Sequence, residues 1–328
     1  MKNANWRRGC EMNAIIKILP GDRIIRLQLL MIVIVLALFS LTLGGRFFSA
    51  GNFQSIATQL PVLGLLALGM GLTMLTGGIN LSIIASANAC SLLMGAIIVA
   101  HPGQPLFLLL ALIAGALLAV LIGTLNGLLI AVIGVSPILA TLGTMTLIAG
   151  LNILLSNGAV ISGFPPLIQF LGNGEVFGVP FALLLFLLVA FALWVLLEQT
   201  TLGRSIYLLG SNEQATRFSG INTARVQITV YIFSALLSWG AALLMMSMFN
   251  SAKAGYGESW LLVTILASVL GGVNPDGGFG RVIGMVLALI VLQMLESGLN
   301  LLGVSSYLTM ALWGGVLILF IALQNRRT

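Results

Sequence analysis

Apolar residues form long unbroken runs along this chain, and polar residues are confined to the gaps between them. The runs cover 27–43, 60–76, 83–100, 106–132, 138–155, 181–197, 226–249, 256–273, 282–302 and 307–323. Each approaches or exceeds the length of about 20 residues that a helix needs to cross a hydrocarbon core of about 30 Å. Strands of a membrane barrel would alternate apolar and polar over about ten positions, and these runs do not alternate. The pattern predicts an all-α polytopic membrane protein with about ten transmembrane helices. The run at 256–273 is the weakest, strongly apolar only from Trp260 to Leu270. It reads either as a crossing or as a re-entrant hairpin.

Charge sets the orientation. Hydrophobic residues make up 59% of the 328 positions and charged residues 7%, against roughly a quarter charged in soluble domains, which excludes a soluble globule. Ten crossings from a cytoplasmic N-terminus place Lys2, Arg7, Arg8, Lys17, Arg23, Arg26, Arg204, Arg217, Arg225, Arg281, Arg326 and Arg327 on one side. Only Arg46 and Lys253 fall on the other. Lys and Arg favour the cytoplasmic side, so both termini are expected there. The domain reading is a tail over 1–26, a transmembrane permease domain over 27–323 and a tail over 324–328. Removing the eighth crossing would carry Arg326 and Arg327 to the wrong side. The net charge of +6 then reflects topology and lipid headgroups. No basic patch interleaved with aromatics occurs, so no nucleic-acid partner is expected. The first run follows a mostly polar stretch without a small-residue cleavage site and reads as a retained anchor. Cys10 and Cys90 fall in the tail and in the third span, and no disulfide between them is expected.

Two gaps are long. The gap at 156–180, rich in glycine and proline, reads as a folded external cap. The gap at 198–225 is cytoplasmic and is the one long polar stretch in the second half of the chain. Ser211-Asn212 opens a short helix there, and Gly220 is placed to end it. A compact handle between spans suits docking in a cleft on a motor subunit, with Leu208, Leu209 and Phe218 as apolar contacts. An ordinary solvated connection is the alternative. Two breaks, at 77–80 and 271–274, share a Gly-Gly-x-Asn pattern, as an internal repeat or by chance. Gly123 and Gly127 have the spacing of close helix contact.

Enzymatic constellations are lacking. No phosphate-binding Gly-x-x-x-x-Gly-Lys-Ser/Thr loop occurs, no metal-ligand cluster is visible, and His101 reads as a solvated turn residue. Glu296 lies within a span, where a carboxylate is costly unless paired, protonated or facing water. It reads as a pathway or proton-relay group, or as a protonated glutamate near the outer interface. Asn80, Ser82, Asn88, Asn126, Thr141, Thr144, Asn152 and Asn300 are neutral polar residues within or beside spans. Such groups exchange hydrogen bonds without trapping charge and suit a path for an uncharged polar solute. Interhelical bonding explains any single one equally well.

Four motifs carry a resemblance. The stretch Gly210-Ser211-Asn212-Glu213-Gln214-Ala215-Thr216-Arg217-Phe218-Ser219-Gly220-Ile221 resembles the coupling segment of ribose-type permeases of bacterial ABC importers. Gly77-Gly78-Ile79-Asn80-Leu81-Ser82 is similar to their Gly-Gly-Ile-Asp-Leu-Ser signature, with Asn80 in place of the acid and Ile83-Ile84 in place of Val-Gly. Leu270-Gly271-Gly272 with Gly277-Gly278-Phe279-Gly280 resembles a third motif, and the stretch from Gly298 to Tyr307 a fourth. Glu296 stands where the family pattern has an amide. The resemblance implies a permease subunit of the bacterial inner membrane, working as a pair of identical or related chains. It implies an ABC ATPase partner carrying ATP and Mg, a periplasmic binding protein delivering a monosaccharide, and no cofactor in this chain. It assigns coupling to Gly210, Ser211, Asn212, Glu213, Ala215, Thr216, Arg217, Ser219, Gly220 and Ile221. The alternatives are another cargo (an autoinducer-like furanose, a nucleoside or a branched-chain amino acid) or a proton-coupled carrier using Glu296.

Overall fold

Pro20 opens the first helix, α1 (Pro20–Leu43), at a position where its missing N–H costs nothing. In this computed structural model residues 20–325 are described, with side chains over 24–318. The expectations for Lys2, Arg7, Arg8, Cys10, Lys17, Arg326, Arg327 and the Arg23 side chain lie outside the described residues. Helix α1 begins inside the stretch expected as a tail. Ser49 caps α2 (Ala50–Met74), its hydroxyl accepting from the Asn52 N–H. Three spans follow: α3 (Ile83–Ala100), α4 (Pro105–Ala131) and α5 (Pro137–Ser156), the last two again opened by proline.

The gap at 156–180 is a folded cap, as expected. It contains β1 (Ile161–Ser162), the short helix α6 (Pro166–Asn173) and a hairpin of β2 (Glu175–Val176) and β3 (Val179–Pro180). Phe177 and Gly178 turn the hairpin at φ 53° and 78°, the left-handed pair that matches strand twist. Beyond the cap come α7 (Phe181–Gln199), α8 (Thr201–Ser211), α9 (Glu213–Phe218) and α10 (Thr223–Phe249). The chain then forms β4 (Ser251–Ala252), α11 (Trp260–Leu270), α12 (Val282–Leu301) and α13 (Ser306–Asn325). The cap is seated on α10 through the Gly172 N–H, which donates to the Ser247 hydroxyl, and through β1, which pairs antiparallel with β4.

Among the described residues eight helices (α1, α2, α3, α4, α5, α7, α10 and α12) are long and apolar enough to cross a membrane. The fold is therefore that of an all-α polytopic membrane protein. The eighth run is helical only in part. Helix α11 has 11 residues, about 17 Å at 1.5 Å per residue, or half a hydrocarbon core. Irregular chain precedes it at 253–259. The Asn88 amide of α3 donates to the Ala254 and Tyr256 carbonyls at 2.8 and 3.0 Å, which ties this partly exposed stretch to the bundle. The α11 end is fastened on the far side, where the Gln28 amide of α1 donates to the Leu270 carbonyl at 2.8 Å.

Helix α2 runs through the centre, buried from Leu60 to Met74. Helices α1, α4, α5 and α7 lie around it with leucine, isoleucine and valine outward. Gly123 and Gly127 bring α4 onto the α10 backbone at Ile232 and Ile228, which is the packing role expected of that spacing. The element order gathers Arg26, Arg204, Arg217, Arg225 and Arg281 at one end of the bundle, with Arg46 and Lys253 at the other.

Candidate functional site

At the basic end the polar stretch folds as two capped helices. Thr200 accepts from the Gly203 N–H at 3.1 Å to start α8. Asn212 accepts from the Ala215 N–H at 2.9 Å to start α9. The Thr216 and Ser219 hydroxyls bond back to the Asn212 and Ala215 carbonyls. Gly220, at φ 82°, closes α9, with the Ile221 N–H reaching the Thr216 carbonyl at 3.4 Å. Ser211, Asn212, Glu213, Ala215, Arg217, Ser219 and Gly220 are exposed, Gly210 and Ile221 partly buried, and Thr216 buried. The outward apolar groups are Phe218, 90% exposed, and Leu208, 50% exposed. Leu209 instead packs into the core, because the helical turn carries it to the opposite face.

Gly210 locks this segment onto the bundle. Its Cα lies against the Leu75 carbonyl and the Gly278 amide, and a methyl group there would collide with both. The Gly278 N–H donates to the same Leu75 carbonyl at 2.9 Å, and the Tyr207 hydroxyl donates to the Gly280 carbonyl at 2.9 Å. Burial pushes the Tyr207 hydroxyl up to about 12, with Glu198 adding to the rise and Arg281 opposing it, so it stays a donor. The ends of α2 and α11 are capped alike. Gly77 and Gly272 take φ 79° and 83°, and the next residues close the same bond, Gly78 N–H to Thr73 and Val273 N–H to Ser268, each at 3.1 Å. The two Gly-Gly-x-Asn breaks are thus alike in role but displaced by one residue in register.

Seven of the candidate path residues lie inside the bundle, each at most 5% exposed. Asn80 donates to the Ser234 hydroxyl at 3.0 Å and accepts from the Ser82 hydroxyl at 2.8 Å. Asn126 donates to Ser82 at 2.9 Å. Asn152 donates to the Ala85 carbonyl, Thr141 to the Ile79 carbonyl, and Thr144 to Ala140 in its own helix. With Asn88 on the irregular segment, these residues tie α3 and its entry loop to α4, α5, α10 and α11.

Glu296 and Asn300 are placed differently. They lie on α12 with Gln293 and Ser297, three or four residues apart, and border two cavities. One, of about 200 Å³, lies between α2 and α12 and is lined by Asn52, Ser55, Gln59, Gln293, Ser297 and Asn300. The other, of about 360 Å³, lies between α11, α12 and α13 and is lined by Glu296, Asn300, Ser259, Tyr307 and two tryptophans. Gln293 donates to Gln59 at 3.1 Å and the Ser297 hydroxyl to Asn52 at 2.5 Å. The Gln293 Oε1 is buried without a partner. Sequence reasoning missed Asn52, Ser55, Gln59, Gln293 and Ser297. The available signal was polar residues at helical spacing, 52-55-59 and 293-297-300, inside apolar helices.

A bundle of long apolar helices with a glycine-locked basic end and a polar groove is that of a polytopic membrane protein. Residues 52–321 match the family described as branched-chain amino acid transport system / permease component, and the chain belongs to that family. It is similar to the ribose import permease protein RbsC of Bacillus subtilis, 35% identical over 92% of each chain. RbsC of Escherichia coli K12 is 36% identical over 92% of this chain and 93% of its own. The autoinducer 2 import system permease protein LsrD of Yersinia enterocolitica is 32% identical over 89% of this chain and 88% of its own. The resemblance read from four motifs thus extends over nearly the whole length. No solved structure matches the chain significantly.

Proposed function

We propose that this chain is the membrane-spanning subunit of an ATP-driven importer in the bacterial inner membrane, moving a ribose-like monosaccharide delivered by a periplasmic binding protein. A separate ATPase carrying ATP and Mg grips the segment 198–225 from the cytoplasm, and a second permease copy completes the passage. The observation that carries this reading is the Gly210 junction. A force applied to the exposed face of α8 and α9 reaches the end of α2 and the turn that joins α11 to α12 through backbone-to-backbone contact, with no flexible side chain between. The names of the relatives support a sugar cargo, and the neutral polar lining of the cavity between α2 and α12 agrees with it. Glu296 and Asn300 border the passage; Asn80, Ser82, Asn88, Asn126, Thr141, Thr144 and Asn152 hold its walls.

The test is reconstitution with the ATPase and binding protein of the same system. Wild type is expected to import D-ribose only with ATP and both partners present. Gly210→Val overpacks the junction at about 1–3 kcal/mol and is expected to lower import and coupled ATP hydrolysis at least about tenfold. Import by the purified chain alone, abolished by collapsing the proton gradient, would replace this reading with the carrier.

A further inference from the structure

The groove between α2 and α12 presents hydrogen-bonding groups that the contacts between helices leave in part unused. Gln59 and Gln293 close its deep end, Asn52 and Ser297 pair beside them, and Ser55 and Asn300 lie toward the mouth. Each of the six is neutral and each can both donate and accept. Ile56 supplies an aliphatic patch on the same wall. No carboxylate or cation lines the space; Glu296 borders the neighbouring cavity. Gln293 is only 3% exposed, yet its Oε1 has no partner. The volume of about 200 Å³ is below the roughly 300–1,000 Å³ of pockets for drug-sized ligands. A zwitterion or an anion would meet no counter-charge here. A small molecule with several hydroxyls would meet a partner for each.

We propose that this groove is a binding station for a neutral, polyhydroxylated solute of monosaccharide size, with the Gln59–Gln293 pair as its floor. Solute hydroxyls bond Ser55 and Asn300 at the mouth and exchange with the Asn52–Ser297 and Gln59–Gln293 pairs below them, and the C–H face of the ring rests on Ile56. The station deepens the permease reading, which it uses for the choice of probe.

The experiment uses the full chain in lipid nanodiscs with Cys10→Ser and Cys90→Ser, carrying one new cysteine at Ser55 or Leu301 and labelled by a charged maleimide. Saturating D-ribose is expected to slow labelling at both positions at least about fivefold, following 1 + [L]/Kd. Labelling of Phe177→Cys on the hairpin tip is expected to be unchanged. Adding Gln59→Leu with Gln293→Leu, or Gln293→Met alone if the pair does not fold, is expected to remove the protection. Three results overturn the station: no slowing by D-ribose or D-galactose, slowing that survives both glutamine variants, or equal slowing by leucine. D-ribose import by the complete system without any protection sinks the groove and leaves the permease reading standing. Protection by D-galactose in a system that does not import D-ribose supports the groove and sinks the ribose cargo.

Discussion

Asn126 and Gln293 are both amides sunk in an apolar bundle, and their surroundings differ in one respect. Asn126 gives its protons to Ser82 inside a packed cluster of α3, α4 and α10. Gln293 gives its protons to Gln59 and borders open space. A polar residue within a span is therefore no guide to a passage by itself. Each keeps a buried carbonyl oxygen without a partner, so what separates the two is the cavity that adjoins Gln293. The first kind holds helices together, where single bonds average roughly 0.6 kcal/mol in membranes. The second is available for exchange with a solute.

This contrast is open to test. Asn80→Leu leaves two buried hydroxyls short of a partner and is expected to cost about 1–3 kcal/mol, measured as lowered thermal stability in detergent. Import per folded molecule should be unchanged. Gln293→Leu should do the reverse. Stability is expected to hold or rise, while import falls about tenfold through the loss of about 1.4 kcal/mol of solute binding. If both variants destabilise alike and import alike, the contrast is gone. Tyr207 extends the comparison to the junction, as a satisfied hydroxyl. Tyr207→Phe is expected to cost about 1 kcal/mol near neutral pH. Because burial lifts its native titration to about 12 from an ordinary value of about 10, the fold favours the neutral hydroxyl. Its contribution is full below about pH 10 and is lost as pH rises through about 12, so the two proteins should converge in alkaline melts. Glu296→Gln is expected to have the smallest effect, under about 0.5 kcal/mol, with import insensitive to proton-gradient collapse. A large loss on that substitution would favour proton coupling.

Much of the fold was legible because run length and charge are local properties. The limits appear where polarity and structure diverge. The second span read as 60–76 but begins at Ala50, because Asn52, Gln54, Ser55, Thr58 and Gln59 lower the hydropathy of three helical turns. Those turns are helical, and three of the residues that obscured them, Asn52, Ser55 and Gln59, line the groove. The eighth run was ambiguous for a structural reason: only Trp260–Leu270 of it is helix. The short helix α9 followed from Asn212 and Gly220, whereas α8 and its Thr200 cap did not. That Gly210 would press against Leu75 did not, since the two lie far apart in sequence and glycine marks a close approach without naming its partner.

Helices α2 and α12 each have one end in the glycine junction and the other at the groove mouth. They will not respond to a push in the same way. Helix α12 is unbroken over 20 residues, a strut of about 30 Å, and tilting it by about 5° displaces its far end by about 3 Å. Helix α2 carries Pro61 midway, where the ladder lacks a bond and bending is easiest. Under one displacement at the base, one wall leans as a whole while the other flexes at Pro61. The spacing between Gln59 and Gln293 would then widen or narrow with that displacement.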